Sequence, residues 1–477
     1  MIKIIISTIL ALIFITSGLV IYYWRDVQYD PTGIDMLQFF ILLPVCAALL
    51  LLSPWLIYKS VKAYQTRKAQ KLEAAENEEK RQQQQSELEK NKDKPVEELT
   101  LKIYSSAVIH NFGENQEIIE GMQAFKSPEL DEHLVNHYGL PILSYRIKRL
   151  DDLLPEIEED DILHSMRVQR INALIQQQLE QHSESLYHIA AHLRKSALFY
   201  DAETAYEYRM HPGWINEQLN NEENEPEPSV QQVARLNKLN LHILLPASLI
   251  HFWPDEAQQE LLEQLEQQYE IVQSQIHVEF HYVDHGNAHV VWINLLNDIH
   301  QQSEQISLVM AVQSEIDQEW LEEQLWQSEQ YLPGEYAASV CLASPQLSME
   351  DLIEIRTIKT LKHVKNIGKY LQKQSLSFAD QIEQEEPFVL LLDDPLQINT
   401  AKKVQQYLGT AGIELHHGLY CHSYLGSTAE MKVLFGILLC MQMNEDVITL
   451  AYSVQHPQTY FVYEPINRLE HFEQSAA

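Results

Sequence analysis

The chain has 477 residues, with 34 basic against 68 acidic side chains, a formal net charge of −34, 14 glycines and 4 cysteines. The first 94 residues hold 12 basic and 10 acidic side chains, which leaves 22 against 58 beyond them. A domain that acidic repels phosphate backbones and excludes nucleic acid as a partner. No Gly-x-Gly-x-x-Gly and no Walker-type lysine is present to cradle a nucleotide, so no cofactor is expected. Cys46, Cys341, Cys421 and Cys440 are too scattered to suggest a disulfide framework.

Residues 4–21 and 36–57 are apolar runs, flanked by Tyr22-Tyr23-Trp24 and by Trp55 and Tyr58. Each is long enough to cross ~30 Å of hydrocarbon as a helix, with aromatics at interfacial positions. A cleavable signal peptide is the rival reading of the first run, but no small-x-small site precedes the bulky Tyr-Tyr-Trp-Arg. Lys59, Lys62, Arg67, Lys68 and Lys71 follow the second run, whereas the connecting loop has Arg25 beside Asp26, Asp30 and Asp35. Basic flanks stay on the cytoplasmic side. The expectation is a two-span anchor in a bacterial inner membrane with the soluble domain cytoplasmic, a periplasmic placement being the alternative. Residues 1–58 then form two spans and 59–98 a basic, then Gln/Glu-rich tether.

Beyond the tether, strand-like and helix-like segments alternate, which predicts a layered α/β domain. Strands are expected at 99–109, 241–246, 276–283, 307–314, 337–342, 387–392, 447–453 and 459–463. Helices are expected at 116–122, through 150–200, and at 254–273, 288–301, 316–330, 398–409 and 429–442, the last apolar on nearly every side. The acidic run 156–161 reads as a solvated face, and 220–228 and 418–426 as loops.

The order of these segments carries a resemblance. Pro333-Gly334-Glu335 with Ala337-Ala338 matches a Pro-Gly-Glu-x-Ala-Ala turn into a buried strand, and 308–314 matches the strand before it. Tyr424-Leu-Gly426-Ser427 matches a Gly-His turn ahead of an apolar helix, and Asp393-Asp394 ends the strand that leads to a second histidine. In these features the chain resembles the β-ketoacyl synthases and thiolases. The resemblance implies a thiolase-like layered αβαβα fold, with one half at 99–350 and the other at 351–477, and allows a homodimer. It also implies a cysteine nucleophile at about 285–287, where the chain instead has His285-Gly-Asn287. Ser427 stands where one histidine is expected, and none lies between His363 and His416. The degenerate positions His285, Asn287 and Ser427 predict a chain that is not an enzyme.

Other candidate sites have simpler readings. His277, His281, His285 and His289 recur every four residues, but on a strand such neighbours stand ~13 Å apart and share no ion. His416-His417 with Cys421-His422 fits no standard zinc spacing, so no metal is expected. Ser423 or Ser427 with His422 as base lacks a nucleophile elbow and reads as turn chemistry. Cys341 is expected in the core and Cys421 at the surface.

The anchor, charged stalk and acidic thiolase-like domain resemble bacterial envelope proteins that serve as type VI secretion adaptors for phospholipase effectors. That resemblance implies a membrane-anchored, non-catalytic adaptor whose partners are a secreted lipase effector and a secretion spike component. The alternatives are an acyl-binding or acyl-transfer enzyme with a non-cysteine mechanism, and a structural membrane assembly factor.

Overall fold

The computed structural model describes residues 95–154, 165–210, 233–284, 286–328, 330–349, 351–375, 377–396, 398–427 and 430–466, and before them 18, 20–27, 32, 38 and 42. The chain divides into two units, Met1–Lys94 and Pro95–Ala477. In the first, residues 20–27 are helical. The two apolar runs and the tether lie almost wholly outside the described residues, as do the acidic run 156–161 and the loop 220–228. Among the described residues no helix is long and apolar enough to cross a membrane.

The second unit is a mixed α/β domain with one large mixed sheet. Its strands are β1 (Glu97–His110), β2 (Gly113–Glu114), β3 (Glu129–Val135), β4 (Pro141–Ser144), β5 (Lys238–Pro246), β6 (Ile276–Val283), β7 (Gln305–Ser314), β8 (Glu335–Ala343), β9 (Arg356–Lys362), β10 (Val389–Leu391), β11 (Gly418–Tyr420), β12 (Thr449–Tyr452) and β13 (Tyr460–Pro465). The helices used below are α1 (Gln116–Gln123), α2 (Met166–Gln181), α3 (Ser183–Tyr200), α4 (Ala202–Met210), α5 (Ala257–Tyr269), α6 (Ala288–Gln301), α7 (Gln318–Gln327), α8 (Ile367–Gln374), α9 (Ser377–Ile382), α10 (Ile398–Gly409) and α11 (Lys432–Leu439).

The sheet runs β11-β10-β12-β13-β9-β1-β8-β7-β5-β6. Split between β9 and β1, it contains the same pattern twice. Within each half the second, third and fourth strands are parallel, and the fifth runs antiparallel to the fourth and the first. The halves join because β1 is long: residues 97–103 pair with β9, and 102–110 with β8. One continuous strand thus belongs to both half-sheets.

Three cores fill the layers. Side chains of α2, α3 and α5 cover the outer face of the first half-sheet, and those of α8 and α10 cover the outer face of the second. The central core is built on α6 and α11 and takes residues from strands of both halves, among them Val309, Ala338, Leu390 and Phe461. A helix facing sheet on two sides must be apolar around its girth. That accounts for the Val-Leu-Phe-Gly-Ile-Leu-Leu run of α11, whose described length is shorter than 429–442 because Cys440–Gln442 tightens into a 3-10 turn.

Local chemistry sets several element starts. Ser165 Oγ accepts from the Val168 amide to open α2, Asp317 accepts from the Glu319 and Trp320 amides to open α7, and Asn366 accepts from Lys369 to open α8. Two features escape the sequence pattern. The hairpin β3–β4 forms a separate two-stranded sheet. Strand β9 is masked by its charges: Arg356 is buried, and its guanidinium donates to the carbonyls of Met441, Met443, Asn444 and Val447 just beyond α11.

Candidate functional site

In each half the third strand leads toward a helix of the central layer, β6 to α6 and β11 to α11. Asp284 after β6 and Gly426-Ser427 after β11 therefore hold equivalent positions of the repeat. At the first, Asp284 Oδ1 accepts from the amides of Gly286 and Asn287 at 2.7 and 2.8 Å, and Asn287 Oδ1 accepts from the Asp284 amide at 3.0 Å. Both side chains are committed to closing the turn. His285 lies outside the described residues.

At the second turn, Ser427 Oγ accepts from the Leu332 amide at 2.8 Å, and the Ser427 amide donates to the Leu332 carbonyl at 2.7 Å. Gly426 has φ +78°, and a side chain there would meet Leu332 and Gly334 backbone. Ser427 thus fastens the Pro333-Gly334 turn of one half to the helix entry of the other. Asp393, after β10, is likewise held: its carboxylate accepts from Ser453 Oγ at 3.0 Å and the Val454 amide at 2.7 Å. Burial raises its pKa against these hydrogen bonds.

Two groups that the sequence reading passed over lie at this junction. Lys432 opens α11, is 2% exposed, and donates to the Gly426 carbonyl at 2.7 Å. Burial pulls its pKa down to about 8, against the opposing pull of Glu315, Cys421 and Asp394. It is the one charged residue in the apolar stretch 431–443, and that was its signal in the sequence. Glu430 accepts from Ser248 Oγ at 3.2 Å, and its pKa is raised by burial and by Asp284 of the equivalent turn. An ammonium near neutral pKa beside carboxylates can take or give a proton near physiological pH.

The remaining candidates fall elsewhere. His289, the second residue of α6, stacks face to face on His456 from the β12–β13 connection, with centroids 3.6 Å apart and planes 10° apart. Burial, then His456 and Lys362, push its pKa down to about 3. His417 is buried, with Nδ1 accepting from the Glu414 amide and Nε2 facing the Gln384 carbonyl at 2.8 Å. Cys421 is fully buried, which corrects the expectation of a surface thiol: it packs under α11 against Gly436. Cys341, Cys421 and Cys440 are all buried, and burial pushes each up to about 12, far from a thiolate at neutral pH.

No family model and no curated protein matches this chain. Among solved structures it is similar to the ishigamide ketosynthase/chain length factor, at 10% identity over 77% of this chain and 100% of that one, with a TM-score of 0.38. It is also similar to the ketosynthase from module 6 of the bacillaene synthase of Bacillus subtilis 168, at 9% identity, 77% and 72% coverage and a TM-score of 0.38. A third is cerulenin-bound OleA of Xanthomonas campestris, at 10% identity, 77% and 96% coverage and a TM-score of 0.32.

These structures correct one expectation. The sequence reading excluded catalysis, yet the proteins that the chain is similar to are themselves enzymes, ketosynthases and OleA. The expectation that this chain is not an enzyme is overturned. At these identities and scores the likeness assigns no activity, substrate or partner to it.

Proposed function

We propose that the domain is a thiolase-like module of stacked αβαβα layers, and that the chain is a membrane-anchored adaptor that binds a protein partner. The repeated strand order and the central α6/α11 layer support the first part. The second rests on the hairpin β3–β4. It stands outside the repeated strands, with Leu130 and Leu143 directly paired across it. Both are exposed, as are Leu140 and, at 86%, Tyr138 of its turn. Trp326 of α7, 81% exposed, packs beside His137 and extends the patch. Exposed aromatics of this kind are the usual anchors of protein interfaces. The acidic excess favours a partner with a basic face. By the sequence resemblance, that partner is a secreted lipase effector, with a type VI spike component beyond it and the chain seated in a bacterial inner membrane. The reading concerns binding and does not require the domain to be inert.

The test is affinity capture of the detergent-solubilised chain from its native cell, with partners identified by mass spectrometry. A partner bound by the parent chain and lost with Tyr138→Asp and Trp326→Asp, but kept with Leu396→Asp, an exposed position outside the hairpin and α7, supports the adaptor. Equal recovery with all variants sinks it.

Lys432 favours a second reading, an acyl-transfer enzyme with a non-cysteine mechanism. Release of coenzyme A from an acyl thioester by the parent chain, lost in Lys432→Met, supports that reading, and no release above buffer rejects it.

A further inference from the structure

The outer edge of the sheet carries a cluster that neither reading above uses. Among the described residues strand β6 pairs with β5 alone. Side chains alternate along a strand, so His277, Glu279, His281 and Val283 share one face. Val283 fixes which face it is, because it packs in the central core with Leu244 of β5. The parallel register sets His242 beside Glu279 and Leu244 beside His281, which brings a histidine of β5 onto the same face.

There three ligand-type atoms converge. His242 Nδ1 and His281 Nε2 are 3.1 Å apart, and Glu279 Oε2 lies 3.4 Å from the first and 3.5 Å from the second. These carboxylate distances are longer than a normal hydrogen bond of ~2.7–3.2 Å to both rings. They fit a different arrangement. Ligands at ~2.0–2.1 Å around a tetrahedral cation stand about 3.3–3.4 Å from one another. His277 Nε2, 3.9 Å from the same carboxylate oxygen, is near enough to approach the fourth position.

The surroundings agree with the geometry. His242 is 5% exposed, and its Nε2 has no hydrogen-bond partner among the described residues, so its polar engagement is on Nδ1 toward the cluster. Asp298 of α6 adds a second negative charge within electrostatic reach of His281. Glu279 and His277 are about half exposed and leave a path to solvent.

We propose that His242, Glu279 and His281 form a binding site for a borderline divalent cation of the zinc type, with one coordination position open to water or His277. A two-histidine, one-carboxylate set with an open position suits zinc, whereas magnesium and calcium prefer oxygen-only cages. The site is independent of the adaptor reading.

The full chain, solubilised in detergent and purified through a tag without histidine, is stripped with chelator and titrated with zinc against a chromophoric chelator. One equivalent should bind, and cobalt(II) in its place should give the intense visible bands of a tetrahedral site. Glu279→Gln and His281→Gln should each weaken zinc binding at least tenfold and remove those bands. Both side chains are partly exposed, so the metal-free thermal midpoint should hold, showing that the variants fold. No stoichiometric zinc, or wild-type affinity in both variants, overturns the proposal.

Discussion

Glu335, of the Pro333-Gly334-Glu335 turn, is the buried partner of Arg170. Arg170 Nε and Nη2 donate to Glu335 Oε2 and Oε1 at 2.8 and 2.7 Å, and neither side chain has any solvent exposure. Glu335 also accepts from the Ile147 amide and Ser314 Oγ. Burial pulls the Arg170 pKa down, but the hydrogen bonds and charges of Glu335 and Asp151 together outweigh it and the net shift is upward. The pair ties α2 to the entry of β8.

Breaking a buried pair leaves an uncompensated charge and typically costs about 3–5 kcal/mol. Arg170 keeps the partly exposed Asp151 as a second partner, so Glu335→Gln should destabilise the domain by up to that order in chemical denaturation. Arg170→Met with Glu335→Leu should recover part of the loss. A cost below about 1 kcal/mol for Glu335→Gln would show the pair to be incidental.

The junction of the halves gives a backbone prediction. Gly426 has φ +78°, and a Cβ there would stand 2.8 Å from the Leu332 carbonyl oxygen. Gly426→Ala should therefore cost about 2 kcal/mol or more, from left-handed strain plus the clash. Ser427→Ala, which removes the acceptor of the Leu332 amide, should cost on the order of 1–2 kcal/mol. Thermal midpoints of the two variants check both.

Buried histidines set the acid limit, His110 and His182 among them. His110 faces the Tyr424 carbonyl through Nε2 at 2.9 Å, and His182 bridges the hydroxyls of Ser105 and Ser339 at 2.7 Å each. Burial, opposed in His110 by the Tyr424 hydrogen bond, pushes both down to about 4. A histidine with a folded pKa below its unfolded value of ~6.5 binds its proton more readily when unfolded. The stability it contributes is then complete above ~6.5 and is lost as pH falls through ~6.5 toward ~4. Each should contribute on the order of 3 kcal/mol across that window. Denaturation midpoints between pH 7 and pH 4.5 should fall, and His182→Gln should flatten the slope. A flat midpoint would contradict this assignment.

Membrane orientation is testable by fusion. A reporter after Ala477 should be active only in the cytoplasm, because Lys59, Lys62, Arg67, Lys68 and Lys71 follow the second apolar run. Periplasm-only activity would reverse the orientation.

For the proposed adaptor role, salt should separate the two contributions to partner binding. Attraction by the acidic surface is screened, so association should slow as ionic strength rises, whereas contacts of Tyr138 and Trp326 should persist in the dissociation rate. Salt-independent association would remove charge from the account.

The sequence by itself determined the strongly periodic elements. Strand Ile276–Val283 and the helices Ala288–Gln301 and Ile398–Gly409 are found with the ends their pattern gives, because apolar period and punctuation agree within each. It also marked the Pro-Gly-Glu turn and the all-round apolar α11. Tertiary structure decided what crosses segments. Strand β9 was hidden because Arg356 looks like a surface residue until four carbonyls surround it. Along β6 a four-residue spacing sets the backbones of His277 and His281 ~13 Å apart. The partner that His281 meets is His242, 39 residues earlier and one strand across. Periodicity reports the face a residue takes, and only strand pairing decides which distant residue shares that face with it.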